Sequence, residues 1–195
     1  VGYETVYGDQ IAQAMRGMTN KIEAYAALTL SLGASRAIGT AGTTPFASDF
    51  DSVAEIRQIL VDNGMPLDGQ ATIAMNTAAG TKLRNLAQLQ KVNEAGITIA
   101  APGVRIELLD NDNITVLNNY TGNVAFHRAA AELVMRPPAM PQGGDMATDR
   151  MTVQDPFSGL VYEMALYKGY GKSMLDITTF YGAKVWKPDF VATLL

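Results

Sequence analysis

Residues 9–33, DQIAQAMRGMTNKIEAYAALTLSLG, decide the fold. Ile11, Met15, Met18, Ile22, Tyr25, Thr29 and Leu32 recur at alternating steps of four and three, which is the signature of one helix face. Asp9 is placed to cap the start and Gly33 the end. About 24 residues of helix extend on the order of 36 Å, so the segment predicts a long spine helix. The same spacing fits three heptads of a coiled coil, but Thr29 and the mixed methionines make poor seam residues.

Downstream, the stretch from Gly39 to Ser48 is rich in Gly, Thr, Pro and Ala and reads as a loop. A smaller α/β unit follows. Ser52-x-x-Glu55 resembles a capping box opening a helix through Val53, Ile56, Ile59 and Leu60, which Asn63-Gly64 stops. Ala71 to Met75 reads as a buried strand, and Asn76 can cap a second helix through Leu83, Leu86 and Leu89. Strands are expected near Ile97–Ala100, Val104–Leu108 and Ile114–Leu117.

The last third is mostly extended. Val124 to Arg128 begins a strand, Ala129 to Met135 fits neither helix nor strand decisively, and Pro137-Pro138 breaks it. A loop at Pro141 to Asp145 precedes Met151-Thr152-Val153, a turn at Asp155 to Gly159, and Leu160 to Lys168. This is an extended hairpin with Val161, Glu163, Ala165 and Tyr167 alternating against Tyr162, Met164 and Leu166. Met174 to Phe180 supplies another strand, and Tyr181 to Pro188 a strand end with its turn. The apolar tail from Phe190 to Leu195 calls for a partner surface.

Composition narrows the chemistry. The 195 residues include no cysteine and one histidine, which removes disulfides, thiolate nucleophiles, Cys-based zinc sites and multi-His metal sites. A Ser-His-Asp triad would have to use His127, beside the permanent cation of Arg128. A hydrogen-bonded strand residue is the expected role instead. Gly169-Tyr170-Gly171-Lys172-Ser173 ends like a phosphate loop, but the required first glycine is replaced by Leu166, so a polar connection between strands is expected. Asp110 and Asp112 begin a segment like a calcium loop that has Thr115 where glycine is needed at position six and no Glu at position twelve. No residue is assigned a catalytic, cofactor-binding or metal-binding role, and no cofactor is expected. A net charge of −4 without a basic run argues against nucleic-acid recognition. The absence of a long apolar segment and of a signal-peptide layout gives the expectation of a soluble, unexported chain with no membrane partner. Only 17% of residues are charged, against about 25% in typical soluble domains, so the surface is poor in solvated groups.

Asn123-Val124-Ala125-Phe126-His127-Arg128-Ala129-Ala130, Pro137-Pro138, Asp155-Pro156-Phe157-Ser158-Gly159-Leu160, the run Asp176 to Val185 through Tyr181-Gly182-Ala183-Lys184, and Pro188-Asp189 occur in an order that closely resembles the C-terminal half of tailed-bacteriophage major capsid (coat) proteins. The likeness is tight over 123–190 and looser over the rest.

This resemblance implies an α+β fold of the Hong Kong 97 capsid type. A peripheral domain with spine helix and elongated antiparallel sheet would comprise residues 1–44 and 119–195, with an α/β axial domain inserted at 45–118. It also implies a fragment without the family's N-terminal arm and extended loop, and an axial unit shortened near Asn93 to Ile97. The implied function is a structural subunit, not an enzyme, of a phage or prophage icosahedral capsid enclosing double-stranded DNA without sequence-specific binding. Its partners would be copies of itself in pentamers and hexamers, a scaffolding protein and a portal protein. It would reside in the virion, and in host cytoplasm during assembly. Contact regions are expected on the spine face opposite Ile11, Met18 and Tyr25, at the axial-domain tips, and at the sheet edge near Tyr162 to Tyr170. An encapsulin-type compartment shell is the alternative, and a small α/β hydrolase or transferase a third reading.

Overall fold

No proline interrupts the chain between Tyr3 and Gly33, and the whole of Tyr3–Gly33 forms one helix, α1. The computed structural model describes residues 3–46, 51–85, 104–108, 122–140, 144, 146–155 and 158–195. α1 starts six residues before the expected cap, so Asp9 is an exposed interior residue. At 1.5 Å per residue the helix is about 46 Å long. Its expected face holds as far as the fully buried Ile22, but Tyr25 is 41% and Leu32 78% exposed. A strict 3.5-residue repeat slips about 20° per heptad on a 3.6-residue helix, and by the last turns Leu30 has taken over the packing. Gly33 does not cap the helix with a left-handed turn. Its role is close approach, because a Cβ there would lie 2.5 Å from Val185 Cγ2.

The chain divides into two compact units, Val1–Glu23 with Leu133–Ala183, and Ala24–Glu132 with Lys184–Leu195. The second unit is built on a five-stranded mixed sheet. Its strands are β1 (Arg36–Ile38), β2 (Ala71–Met75), β3 (Val104–Leu108), β4 (Asn123–His127) and, numbered in chain order, β10 (Val191–Leu194). They lie in the order β1-β10-β4-β2-β3. β1 and β10 are parallel, as are β2 and β3, while β4 runs antiparallel to both β10 and β2.

Side chains alternate across this sheet as strand geometry requires. On one face Ile73, Met75, Ala125, Ala192 and Leu194 join Val53, Ile56 and Leu60 of α2 (Asp51–Asp62), with Ala79 and Leu83 of α3 (Thr77–Arg84). On the other, Ala74, Val124 and Val191 meet Leu30 of α1, Val185 and Phe190. The apolar C-terminal tail thus finds its partner surface within the chain. Gly39 makes this possible. It has a φ of 94° and its Cα lies against the Leu195 carbonyl, where a Cβ would be 2.7 Å from the oxygen.

The helix ends follow local rules. Asn76 Oδ1 accepts from Ala79 N at 2.8 Å, the expected cap of α3. α2 ends on Gly64 with φ 87°, where Gly64 N donates to Val61 O and Met65 N to Leu60 O, the paired closure of a Schellman motif. α2 begins at Asp51, two residues before the start a cap at Ser52 implies, so Ser52 lies inside the helix and is not its cap. The expected helix continuation through Leu86 and Leu89, the strands near 97–100 and 114–117, Asp110 and Asp112, and the shortened loop near 93–97 lie outside the described residues.

In the first unit, β6 (Asp149–Gln154), β7 (Val161–Gly169) and β8 (Lys172–Thr178) form an antiparallel meander. The Gly169 to Ser173 segment holds its hairpin turn, Tyr170-Gly171, closed by Gly169 opposite Lys172 with Gly171 at φ 69°. The ambiguous stretch after His127 resolves into a 3-10 turn at Arg128–Ala130 and the strand β5 (Ala131–Arg136), which lies beside β9 (Phe180–Val185). β7 departs from the expected alternation, because Tyr162, Glu163, Met164 and Ala165 are all buried. Tyr162 faces α1, where its hydroxyl lies 2.8 Å from Thr19 Oγ1. Thr19 already donates to Met15 O at 3.0 Å, so Tyr162 is the donor. Glu163 points to the opposite face and forms a largely buried ion pair with Arg150. Removing one member of such a pair strands the other charge. Glu163→Ala is expected to lower stability by about 3 kcal/mol, whereas Glu163→Leu combined with Arg150→Met stays within about 1 kcal/mol of the parent. Urea denaturation of the parent, Glu163→Ala and the double variant measures both.

Candidate assembly surfaces

His127, the one histidine, ends β4 at 4% exposure. Its Nδ1 accepts from Ala129 N at 3.1 Å, which leaves Nε2 as the donor to Asp68 Oδ1 at 3.0 Å. This hydrogen bond is the main reason the Asp68 carboxyl is held below its ordinary value of 3.8. Phe190 stacks edge-on against the ring, with centroids 6.0 Å apart. His127 therefore closes the 3-10 turn, ties the loop before β2 to β4 and fills space beside Phe190. These are the roles of a structural strand residue.

The first unit holds a cleft of about 650 Å³ between α1 and the β6–β7 connection, lined by Met15, Arg16, Thr19 and Glu23 on one side and Val153, Asp155 and Ser158 on the other. Asp155 organises its own turn. Its Oδ2 accepts from Ser158 Oγ at 2.5 Å and Ser158 N at 3.3 Å, while its backbone N donates to Leu160 O at 2.8 Å. Loss of hydration, with the neighbouring Asp155 carboxylate, raises the Glu23 carboxyl above its ordinary value of 4.5. This proximity leaves no signal in the sequence, because residues 23 and 155 belong to segments with no shared motif. Burial likewise pushes the Tyr162 phenol up.

Apolar surface is the other conspicuous feature of this unit. Tyr170 at the β7–β8 turn is 106% exposed, Met146 92%, Met140 70%, Met174 58% and Phe180 54%. The second unit exposes Leu32, Leu67 and Trp186, the last under Lys184 Nζ at 4.4 Å from its ring. Scattered apolar residues are ordinary on a protein surface; here several cluster along β8 and its turn. Among the described residues no group of three or more His, Asp or Glu side chains could hold a metal ion, and no helix is long and apolar enough to cross a membrane.

No family model matches the sequence, and no curated protein matches it. Solved structures do. The chain superimposes on a chain from Mycobacterium phage Che8 with a TM-score of 0.55 and 18% identity, over 95% of this chain and 61% of that one. It superimposes on a chain of the capsid of cyanophage P-SCSP1u with a TM-score of 0.57 and 15% identity, over 100% of this chain and 66% of that one. A virus-like particle chain from Pyrococcus furiosus matches at a TM-score of 0.41 and 14% identity, over 87% of this chain and 60% of that one. The fold is that of phage capsid proteins. The chain spans 61% and 66% of the length of its two phage counterparts.

Two measurements test the roles assigned to these residues. His127→Ala removes a turn closure, a carboxylate partner and a packed ring, and is expected to cost about 2–3 kcal/mol in chemical denaturation. For Glu23, the folded chain binds the proton more tightly than the unfolded one, so ionised Glu23 costs stability at neutral pH. That cost disappears as pH falls through the raised folded value and is gone below the unfolded value of 4.5. Glu23→Gln is therefore expected to be more stable than the parent at pH 7, by roughly half a kcal/mol or less because the side chain is largely solvated. Thermal melts should show that advantage vanishing toward pH 4.

Proposed function

We propose that this chain is the shell-forming part of a structural subunit of a phage or prophage icosahedral capsid. The observation that carries the reading is the superposition of the entire chain on a chain of the cyanophage P-SCSP1u capsid. The 17% charge content and the exposed apolar residues of the meander support it, since a subunit enclosed by its neighbours covers surface that a monomer must keep wet.

In this reading the fold is of the Hong Kong 97 type, with residues 1–44 and 119–195 as the peripheral domain and 45–118 as the axial domain. Copies meet head to tail around five-fold and six-fold axes, which generates closed rings. The shell encloses double-stranded DNA by confinement. A net charge of −4 avoids gripping the phosphate backbone. A scaffolding protein and a portal protein complete the assembly, which proceeds in host cytoplasm and ends in the virion. The subunit performs no chemical step.

Electron microscopy of the full-length gene product, expressed with the genes beside it, tests this. Closed shells that protect DNA from nuclease are expected. Soluble monomers under every condition would overturn the shell reading, and closed shells holding a protein cargo instead of DNA would identify an encapsulin-type compartment.

A further inference from the structure

β8 lies at the end of the β6-β7-β8 sheet, and among the described residues no strand pairs with its outer side. The two-residue turn makes Gly169 and Lys172 the hydrogen-bonded closing pair. In an antiparallel ladder such pairs alternate with non-hydrogen-bonded ones. Lys172, Met174 and Asp176 therefore direct their backbone groups to β7, while Ser173, Leu175 and Ile177 direct theirs to the free edge. Met174 is 58% and Leu175 40% exposed. An edge with open backbone groups and exposed apolar side chains is a template for another strand.

The edge carries two charges, Lys172 and Asp176, placed symmetrically about Met174 on the same sheet face. Among the described residues neither has an ion-pair partner. Within the sheet Lys172 faces Gly169 and Asp176 faces Ala165. Beyond Ala165 lies Arg150, already engaged by Glu163.

We propose that β8 pairs antiparallel with β8 of a second copy of this chain, about a two-fold axis at Met174, to make one six-stranded sheet from two copies. Only registers that set outward-directed residues opposite one another can form the ladder. The register centred on Leu175 would set Met174 against the partner's Asp176 and Lys172 against the partner's Thr178. The register centred on Met174 sets Lys172 against the partner's Asp176 twice, with Ser173 and the partner's Leu175 exchanging backbone hydrogen bonds. Opposite charges facing each other across a non-hydrogen-bonded pair are favourable and like charges are not, which selects the second register. The inference rests on the self-assembly reading for its partner and on the β8 edge for its geometry.

Charge exchange tests it on the full chain. Lys172→Asp and Asp176→Lys each place like charges opposite one another, and each is expected to weaken the pairing about tenfold or more in analytical ultracentrifugation. The double variant restores the opposite signs and is expected to return to within about threefold of the parent. Circular dichroism and melting confirm that each variant is folded. The chain has no cysteine, so Met174→Cys reads the axis directly. Treatment with diamide, which takes up the two thiol hydrogens, should give a disulfide-linked dimer, and Ser173→Cys much less of one. A double variant no better than the singles, or cross-linking equal at 173 and 174, overturns the pairing. Closed shells that show neither charge rescue nor cross-linking at 174 overturn the edge contact and leave the shell reading standing. Dimers cross-linked at 174 in a product that never closes shells do the reverse.

Discussion

The insertion of β10 between β1 and β4 is the constraint on which the second unit depends. β1 is three residues long and joins the sheet through β10. The register sets Arg36 opposite Ala192 and Ala192 opposite Ala125, so the sheet is closed by residues from near both ends of the chain. The entropy of closing so long a loop grows only with the logarithm of its length. What offsets it is burial on both faces: Ala192 and Leu194 toward α2, Val191 toward α1 and Phe190. The small side chains Ala125 and Ala192 lie side by side where α2 crosses, and the Gly39 backbone lets the Leu195 carbonyl come close. A Cβ at Gly39 would come within 2.7 Å of the Leu195 oxygen.

The first unit is organised along a gradient. At one end of the meander, Tyr162 is anchored to α1 through Thr19, and Glu163 is anchored to Arg150 on the other face. Toward the turn, Lys168 to Leu175 are exposed. A buried root and a solvated tip give a strand pair whose base is fixed while its edge remains open to other protein. Local stability follows buried apolar contact, so the part of the sheet most available to a partner is also the part its own chain holds least.

The candidate surfaces were partly legible in the sequence. The edge near Tyr162 to Tyr170 is a contact region that the capsid resemblance implies, yet Tyr162 is core and the open edge belongs to the next strand. Alternation marks two faces of a strand but not what lies over them, and here both faces are covered for four residues. The Glu23–Asp155 proximity and the Arg150–Glu163 pair left no signal at all. Charges that meet across a sheet or between a helix and a turn have no fixed spacing along the chain.

Local rules and periodicity determined the spine helix, the Asn76 cap, the Asn63-Gly64 stop, the strands at 71–75 and 104–108, and the hairpin nature of the Gly-Lys-Ser segment. Each depends on interactions within a few residues, where backbone sterics and one hydrogen bond decide the outcome. The order of residue groups over 123–190 pointed to the capsid fold that the superposition bears out. Tertiary structure alone decided which face of α1 stays buried past Ile22, whether 129–135 would be strand, and where the apolar tail would go. In each of these the local preferences were nearly balanced or silent, and contacts distant in sequence decided: Leu30 packs against the cluster of Val124 and Val191, β5 lies beside β9, and Leu194 joins the core of Ala125 and α2.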